Sequence, residues 1–178
     1  MSLDGMIARA DGSFDWLMPY PPQEFGIEAF HAGSDAVVMG RATYEIERAM
    51  EPWPHAGKSV FVVTSRPLVG APARVEARSA DLPALAAELG QRGYRRIAVE
   101  GGGQLVRGLI VIGRLDVLEM ALIPLVLGSG IPLFPSGTPE LSLRLVSCQP
   151  RSGGALHLVY ACNPAAASHT TLMRSSAP

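Results

Sequence analysis

The chain has 178 residues and a formal net charge of −1, with hydrophobic residues at 48% and charged residues at 17%. This composition contains enough apolar residues for a buried core and excludes disorder along the whole chain. Proteins that hold nucleic acid through bulk charge are strongly basic, so the charge balance excludes that class of partner. We therefore expect one domain in which any phosphate ligand is bound by a few placed residues.

The N-terminus and the cysteines bear on location in the cell. The first residues have neither the basic region nor the apolar run of a signal peptide, and the apolar run at 120–128 is too short to cross a bilayer. Cys148 and Cys162 are too few for a disulfide framework or a zinc site, and both lie in apolar stretches. We expect buried free thiols in a cytoplasmic protein that does not contact membranes.

The predicted elements, taken along the chain, alternate between strand and helix and then become a run of strands. Asp81 is the predicted N-cap of the third helix, and the sequence PRSGG at 150–154 predicts a hairpin. The expected strands cover 2–8, 35–39, 59–64, 73–77 (at an edge), 95–99, 115–123, 141–148 and 155–162, and the expected helices cover 23–32, 41–50, 82–91 and 104–112.

This order of elements predicts the fold class. Alternating strands and helices indicate parallel strands covered on both faces, whereas the final strands indicate an antiparallel region. The predicted class is α/β, with a mixed, mostly parallel sheet flanked by helices and an antiparallel C-terminal hairpin. We expect one domain over 1–162 and a poorly ordered tail over 163–178, where Ala, Ser and Thr dominate.

Polar or glycine-rich turns follow three of the alternating strands. Ligands of open α/β sheets bind outside the carboxyl ends of the strands, so three such turns on one edge indicate a binding site. The turns are Gly40-Arg41-Ala42-Thr43, Thr64-Ser65-Arg66 and Gly101-Gly102-Gly103-Gln104-Leu105.

Each turn has a ligand-binding and a purely structural interpretation. The three glycines would let backbone N–H groups approach a pyrophosphate at a helix N-terminus, or would form a tight turn with positive φ. Arg41 and Thr43 offer a guanidinium and a hydroxyl to a phosphate, or form a solvated first helical turn. Ser65-Arg66 suits a ribose 2′-phosphate, or is a turn before a proline. The glycine pattern matches neither the G-x-G-x-x-G fingerprint nor the Walker P-loop.

In this order, the three turns resemble the dihydrofolate-reductase superfamily, in which M-G-R-x-T-[WY]-E, a strand ending in Ser-Ser or Ser-Arg and a G-G-G turn all serve NADPH. Ser2-Leu3-Asp4-Gly5, Gly113-Arg114-Leu115-Asp116 and the stretch 123–134 are similar to one branch of it. That branch contains the reductase domain of riboflavin biosynthesis and its stand-alone relatives. The resemblance covers about 2–162 and implies a dihydrofolate-reductase-like fold.

The resemblance also implies a role for each turn. The first would hold cofactor phosphates, the second the adenosine 2′-phosphate and the third the pyrophosphate of NADPH, with Trp16 near the nicotinamide and Glu100 near the substrate. The implied cofactor-binding residues are Trp16, Gly40, Arg41, Ala42, Thr43, Thr64, Ser65, Arg66, Gly101, Gly102, Gly103, Gln104 and Leu105.

The chain departs from the family pattern in three places. Relatives begin upstream of Ser-Leu-Asp-Gly, so we expect a first strand that is truncated here or a start that is not native. The H-x-E and P-C-x-x-C motifs of a deaminating half are missing from the sequence. The acidic residue on the first helix of dihydrofolate reductase has no clean counterpart. We therefore expect a reductase domain alone, without true dihydrofolate reductase activity.

Asp4 and Glu100 are the expected catalytic residues. Hydride transfer needs a nicotinamide face against the acceptor and usually a proton source. Asp4 lies beside a glycine in the first predicted strand, near the expected nicotinamide edge, and Glu100 follows the predicted strand at 95–99. Asp4 could instead be a turn residue that caps nearby backbone N–H groups, and Glu100 could instead form a salt bridge with Arg95 or Arg96. The four histidines show no ligand spacing, so we expect no metal site.

The predicted function is an NADPH-dependent reductase of a small heterocycle, similar to 5-amino-6-(5-phosphoribosylamino)uracil reductase of riboflavin biosynthesis or to dihydrofolate reductase. A reductase of an unrelated carbonyl compound and a non-catalytic NADP-binding module remain as alternatives. The apolar strands at 115–127, 141–148 and 155–162 predict a homodimer, which the resemblance also implies.

Overall fold

The computed structural model describes residues 1–162 in full and the backbone alone of Leu172–Ser175. Two 3₁₀ turns, Asp15–Leu17 and Pro22–Phe25, precede the first helix. The helices are α1 (Ile27–Ala32), α2 (Arg41–Glu47), α3 (Leu82–Gln91) and α4 (Gly103–Val111). The strands are β1 (Met6–Ala8), β2 (Ala36–Gly40), β3 (Ser59–Val63), β4 (Val75–Arg78), β5 (Ile97–Glu100), β6 (Val117–Leu122), β7 (Ile131–Pro132), β8 (Arg144–Pro150), β9 (Leu156–Ala161) and β10 (Leu172–Ser175).

One large sheet organises the molecule, with the strand order β4-β3-β2-β5-β10-β6-β9-β8. The strands from β4 to β6 in that order are parallel, while β9 is antiparallel to β6 and β8 is antiparallel to β9. A small antiparallel ribbon of β1 and β7 stands apart. The predicted class, a mixed and mostly parallel sheet with an antiparallel C-terminal hairpin, is confirmed.

The backbone of β10 pairs with both β5 and β6. It belongs to the region in which the sequence predicted a poorly ordered tail. The remainder of that region, 163–171 and 176–178, lies outside the described residues.

The central strands are buried on both faces, which explains their continuous apolar sequence. In β2, Ala36 and Val38 pack in the cluster that contains side chains of α3 and α4, whereas Val37 and Met39 pack with side chains of α1 and α2. All four are at most 3% exposed. Helices therefore cover both faces, as the alternation of elements predicts. None of the helices in the described part of the chain has the length and apolar character needed to cross a bilayer.

Local hydrogen bonds and glycine conformations explain which predicted ends of helices and strands agree with the structure and which differ. Asp81 caps α3 as predicted and accepts the N–H of Ala84 at 3.0 Å. The first strand is shorter than predicted, because Gly5, at φ +86°, closes a turn onto Ser2 O. The first helix also begins later than predicted, because Gly26 adopts φ +65° and separates it from a 3₁₀ turn.

The two cysteines are free, but only one of them is buried. Burial raises the pKa of the Cys162 thiol to about 12. Cys148 is exposed, which corrects the prediction of a buried thiol, because β8 is an edge strand of the large sheet.

Candidate functional site

The carboxyl ends of β2, β3 and β5 meet at one edge of the sheet. Met39 is in register with Val62 on one side and with Glu100 on the other, so the three strands end at the same level. The three predicted turns, 40–43, 64–66 and 101–105, therefore lie side by side. We call these three turns the cofactor edge.

Two side chains of the first turn connect it to the other two. The Arg41 guanidinium donates to Pro67 O at 3.1 Å, which ties α2 to the chain that follows β3. Thr43 is buried against Gly101, where an added Cβ would lie 1.8 Å from Thr43 Oγ1. Gly101 also has φ +97°, so this position requires glycine on both counts. The contacts hold the three turns as one surface.

The next two glycines differ in their surroundings. An added Cβ on Gly102 would meet nothing within 4 Å, whereas one on Gly103 would lie 2.4 Å from Pro132 O. Gly102 is the N-cap of α4, so its open side faces the free N–H groups and positive end of a nine-residue helix. That combination suits a pyrophosphate. Gln104 is exposed there, while Leu105 packs its side chain in the core and donates its N–H to Gly102 O at 3.0 Å.

The second turn presents polar groups to solvent. The Arg66 N–H donates to Thr64 Oγ1 at 3.1 Å, a local bond that shapes the turn. Ser65 and Arg66 are both exposed, so a hydroxyl and a planar guanidinium are available beside the strand end. These groups suit a phosphate monoester.

A cavity of about 540 Å³ opens beside the cofactor edge. This volume is in the range of small-molecule sites, roughly 300–1,000 Å³. Its walls are mostly apolar, with polar side chains along part of them. The apolar lining includes Phe14, Leu17, Met18, Phe25, Ile27 and Met120, and the polar lining includes His31, Glu47, Glu100, Glu119 and His157. Glu100 lines the cavity and directly precedes the glycine turn, so the cavity adjoins the cofactor edge.

Three of the polar lining residues, His31, Glu47 and Glu100, belong to a cluster with His55 that the sequence did not predict. His31 Nδ1 lies 3.2 Å from Glu100 Oε1, and His55 Nε2 lies 3.4 Å from Glu100 Oε2. His55 Nε2 is also 2.7 Å from Glu47 Oε2. The side chains of His55, Glu100 and Glu47 are only 1%, 3% and 6% exposed. We call His31, Glu47, His55 and Glu100 the imidazole–carboxylate cluster.

A second imidazole–carboxylate pair lines the same cavity from the antiparallel part of the sheet. His157 Nε2 lies 2.8 Å from Glu119 Oε1, and the edge of Phe25 packs against the His157 ring at 6.3 Å. This pair comes from β6 and β9, next to each other in the sheet.

The structure places the other two predicted site residues away from the cavity lining. Asp4 is exposed and accepts N–H groups from Leu127 at 3.1 Å and Gly128 at 2.7 Å. These bonds and the Ser2 hydroxyl, the largest cause, lower the pKa of Asp4 to about 2. Trp16 is 6% exposed and packs with Phe25. The contacts of Asp4 favour the structural role that the sequence left open, a loop anchor.

The residues that sequence reasoning missed come from separate segments. His55 lies in the loop W-P-H-A-G-K after α2, and His31 lies near the end of α1. Their positions carry no common spacing with Glu47 or Glu100, so only the fold brings them together. The available signal was a histidine placed between prolines and glycine in a loop that follows a cofactor turn.

Comparison with known proteins gives consistent matches over nearly the whole chain. The model of the RibD C-terminal domain matches residues 1–157. The uncharacterized protein YwjB of Bacillus subtilis (strain 168) is 36% identical over 162 residues, covering 90% of this chain and 92% of YwjB.

Solved structures show the same fold. A putative riboflavin biosynthesis protein from Shewanella sp. PV-4 superposes with a TM-score of 0.82 at 27% identity, covering 92% of this chain and 95% of that one. The Thermotoga maritima diaminohydroxyphosphoribosylaminopyrimidine deaminase/5-amino-6-(5-phosphoribosylamino)uracil reductase superposes with a TM-score of 0.68 at 16% identity. The alignment covers 91% of this chain but 54% of that longer protein.

Proposed function

Because the chain belongs to the RibD C-terminal domain family, whose name and solved relatives indicate a reductase-like domain, we propose that it is an NADPH-dependent reductase of a small heterocycle. The observation that supports this most is the position of the cavity. It adjoins a surface suited to a dinucleotide, because Glu100 lines the cavity and directly precedes the glycine turn of that surface.

The cofactor edge fits NADPH through the chain's own groups. The backbone of Gly102 and the first turn of α4 would hold the pyrophosphate, and Arg41 would add a positive charge. Ser65 and Arg66 would hold the 2′-phosphate that distinguishes NADP from NAD. When bound, NADPH supplies a hydride. The protein's part is to orient the cofactor and to exclude water from the adjoining cavity.

The cavity suits a planar, largely apolar ring that has N–H groups on one edge. Aromatic and aliphatic side chains such as Phe14 and Phe25 form the walls. Glu100 lies at the polar part, and a carboxylate accepts hydrogen bonds from amino or imide N–H groups strongly. Pterins and aminopyrimidines have such edges, which supports a heterocycle over a simple carbonyl compound.

The test is consumption of NADPH, followed by absorbance, over a panel of pterins, pyrimidinediones and carbonyl compounds. We expect at least one heterocycle to stimulate consumption over the background rate. Stimulation by carbonyl compounds alone would identify the alternative reductase. Tight NADPH binding with no stimulation by any compound would favour the non-catalytic module.

We also propose that the protein is a cytoplasmic homodimer. The free thiols Cys148 and Cys162 suit a reducing compartment. Leu145 and Val146 on the edge strand β8 are 52% and 55% exposed, and an exposed apolar edge strand favours pairing with another chain. Light scattering should give the mass of a dimer, and Val146→Lys should give a monomer. A monomeric wild-type protein at micromolar concentration would contradict this proposal.

A further inference from the structure

The imidazole–carboxylate cluster combines the side chains that bind transition metals. We propose that His31, His55 and Glu100 form a binding site for one divalent transition-metal ion of the zinc class. The site lies at the polar part of the cavity and does not require the proposed reductase activity. It revises our expectation, made from sequence spacing alone, that the chain has no metal site.

The distances among the donor atoms fit a single ion. Each of the three residues offers one donor atom, and these atoms lie within 4.8 Å of one another. His31 Nδ1 and Glu100 Oε1 are 3.2 Å apart. Neighbouring ligands of a tetrahedral zinc ion are about 3.4 Å apart, given bonds of about 2.0–2.2 Å. Small side-chain movements would therefore bring the donors of His31 and Glu100 to bonding distance of one ion.

Glu47 provides the outer partner that a metal-binding imidazole usually has. Its Oε2 lies 2.7 Å from His55 Nε2, and both side chains are buried. When Nε2–H donates to Glu47, the lone pair of the ring is on Nδ1. Nδ1 of His55 is buried and has no hydrogen-bond partner among the described residues. Carboxylate–histidine–metal arrangements of this kind fix the ring and its tautomer.

Charge also favours a divalent cation. Imidazoles must be neutral to bind a metal, and Glu47 and Glu100 then bring two negative charges to the cluster. A divalent ion balances these charges in a place where both side chains are at most 6% exposed. Two imidazoles and a carboxylate select zinc, cobalt or iron over magnesium or calcium, which prefer oxygen ligands alone.

The location suggests what the ion would do. Three protein ligands leave a fourth position of a tetrahedral ion, and His31, Glu47 and Glu100 all line the cavity. The fourth ligand would then be a water molecule or an oxygen or nitrogen atom of the molecule in the cavity. Glu100 would contact that molecule through the ion in the metal-bound protein and directly in the metal-free protein.

The experiment is a titration of the full chain after its metal has been removed with a chelator. Zn²⁺ affinity is measured by competition with a colour-forming chelator, and Co²⁺ is added separately to record its visible absorption. We expect one equivalent of Zn²⁺ to bind and Co²⁺ to give the strong visible bands of a low-symmetry, nitrogen- and oxygen-ligated site. Neither readout uses NADPH or turnover.

Variants assign the ligands. His31→Gln, His55→Gln and Glu100→Gln should each weaken Zn²⁺ binding by more than about 100-fold, because loss of an outer partner alone costs about 10- to 100-fold. Glu47→Gln should fall in that outer-partner range. His157→Gln is the matched control, since it removes an imidazole paired with a carboxylate on the same cavity. It should bind Zn²⁺ like the wild type.

Two results would overturn the proposal. One is a folded wild-type protein that binds no stoichiometric Zn²⁺ or Co²⁺. The other is an equal loss of affinity in His157→Gln and His55→Gln, which would mean non-specific binding. A thermal melt of each metal-free variant identifies any that fail to fold, and Glu47→Gln and His31→Gln then provide the test. Titration of the metal-free protein with NADPH tests the proposed function separately.

Discussion

The cofactor edge and the imidazole–carboxylate cluster both use α2 and meet at the end of β5, yet they are built in opposite ways. The edge consists of three continuous stretches and presents backbone N–H groups and exposed side chains at strand ends. The cluster consists of four side chains from four segments, three of them nearly inaccessible to solvent. Substitutions at the open positions of the edge, Gly102 and the exposed Arg66, should therefore change cofactor binding without affecting stability. Substitutions in the cluster should instead affect binding and reaction in the cavity.

Gly102→Val should have the largest effect on the cofactor edge. A Cβ at this position meets no atom within 4 Å, so the protein should fold normally, but the side chain would occupy the space that the pyrophosphate needs. We expect no measurable NADPH binding by fluorescence titration and an unchanged melting temperature.

Gly103→Val is the matched control for that variant. Its Cβ would lie 2.4 Å from Pro132 O and 2.6 Å from Leu133 O, so we expect loss of the cooperative melting transition. If Gly102→Val also loses this transition, the glycine turn is structural and the pyrophosphate assignment is wrong.

Arg66→Ala should have the next largest effect. A hydrogen bond to a charged group is worth about 1.5–3 kcal/mol, which corresponds to a loss of about 10- to 150-fold in NADPH affinity. NADH lacks the 2′-phosphate, so its affinity should stay nearly unchanged. Fluorescence titration with both cofactors measures the difference, and equal losses would contradict the 2′-phosphate assignment.

Glu100→Gln tests the role of the carboxylate that lies where the cofactor edge and the imidazole–carboxylate cluster meet. The substitution keeps the shape of the side chain and removes its charge. Transition-state stabilisation should fall by about 1–2 kcal/mol, or about 5- to 30-fold in kcat/KM. NADPH affinity should barely change, because the proposed pyrophosphate site begins at Gly101. A lower melting temperature with unchanged kcat/KM would mean that Glu100 serves only to pair with His31 and His55.

The two regions also differ in how far the sequence predicts them. The edge was predictable because each turn follows an apolar strand of β-branched residues, and parallel strands must end on one edge. The same local signals predicted the Asp81 cap of α3 and the C-terminal hairpin. Side chains that act through a local turn or cap leave a signature within a few residues.

The cluster was not predictable, because His31, Glu47, His55 and Glu100 are separated by 16, 8 and 45 positions in the chain. Their proximity depends on how two helices and a proline-rich loop pack beside β5. The exposure of Cys148 was missed for a related reason, since apolar residues look alike in an edge strand and a central one. Long-range packing decides both cases.

Asp4→Asn should have the smallest effect on activity and stability, although the sequence analysis named Asp4, together with Glu100, as an expected catalytic residue. The Asp4 carboxylate accepts N–H groups from Leu127 and Gly128, and its pKa is lowered to about 2, so it is ionised throughout the neutral range. It cannot supply a proton there. We expect the pH profile of kcat to match the wild type and the melting temperature to fall slightly, because the asparagine NH₂ group cannot accept both bonds.

The pH dependence of that small loss has a definite sign. The pKa of Asp4 is lower in the folded protein than the ordinary aspartate value of 3.8, so its stabilising effect is present above about pH 4 and disappears as the pH falls towards 2. Melting curves of the wild type and Asp4→Asn should therefore differ at neutral pH and converge in acid. A changed pH profile of kcat in Asp4→Asn would instead mean that Asp4 takes part in catalysis, as Glu100 is proposed to do.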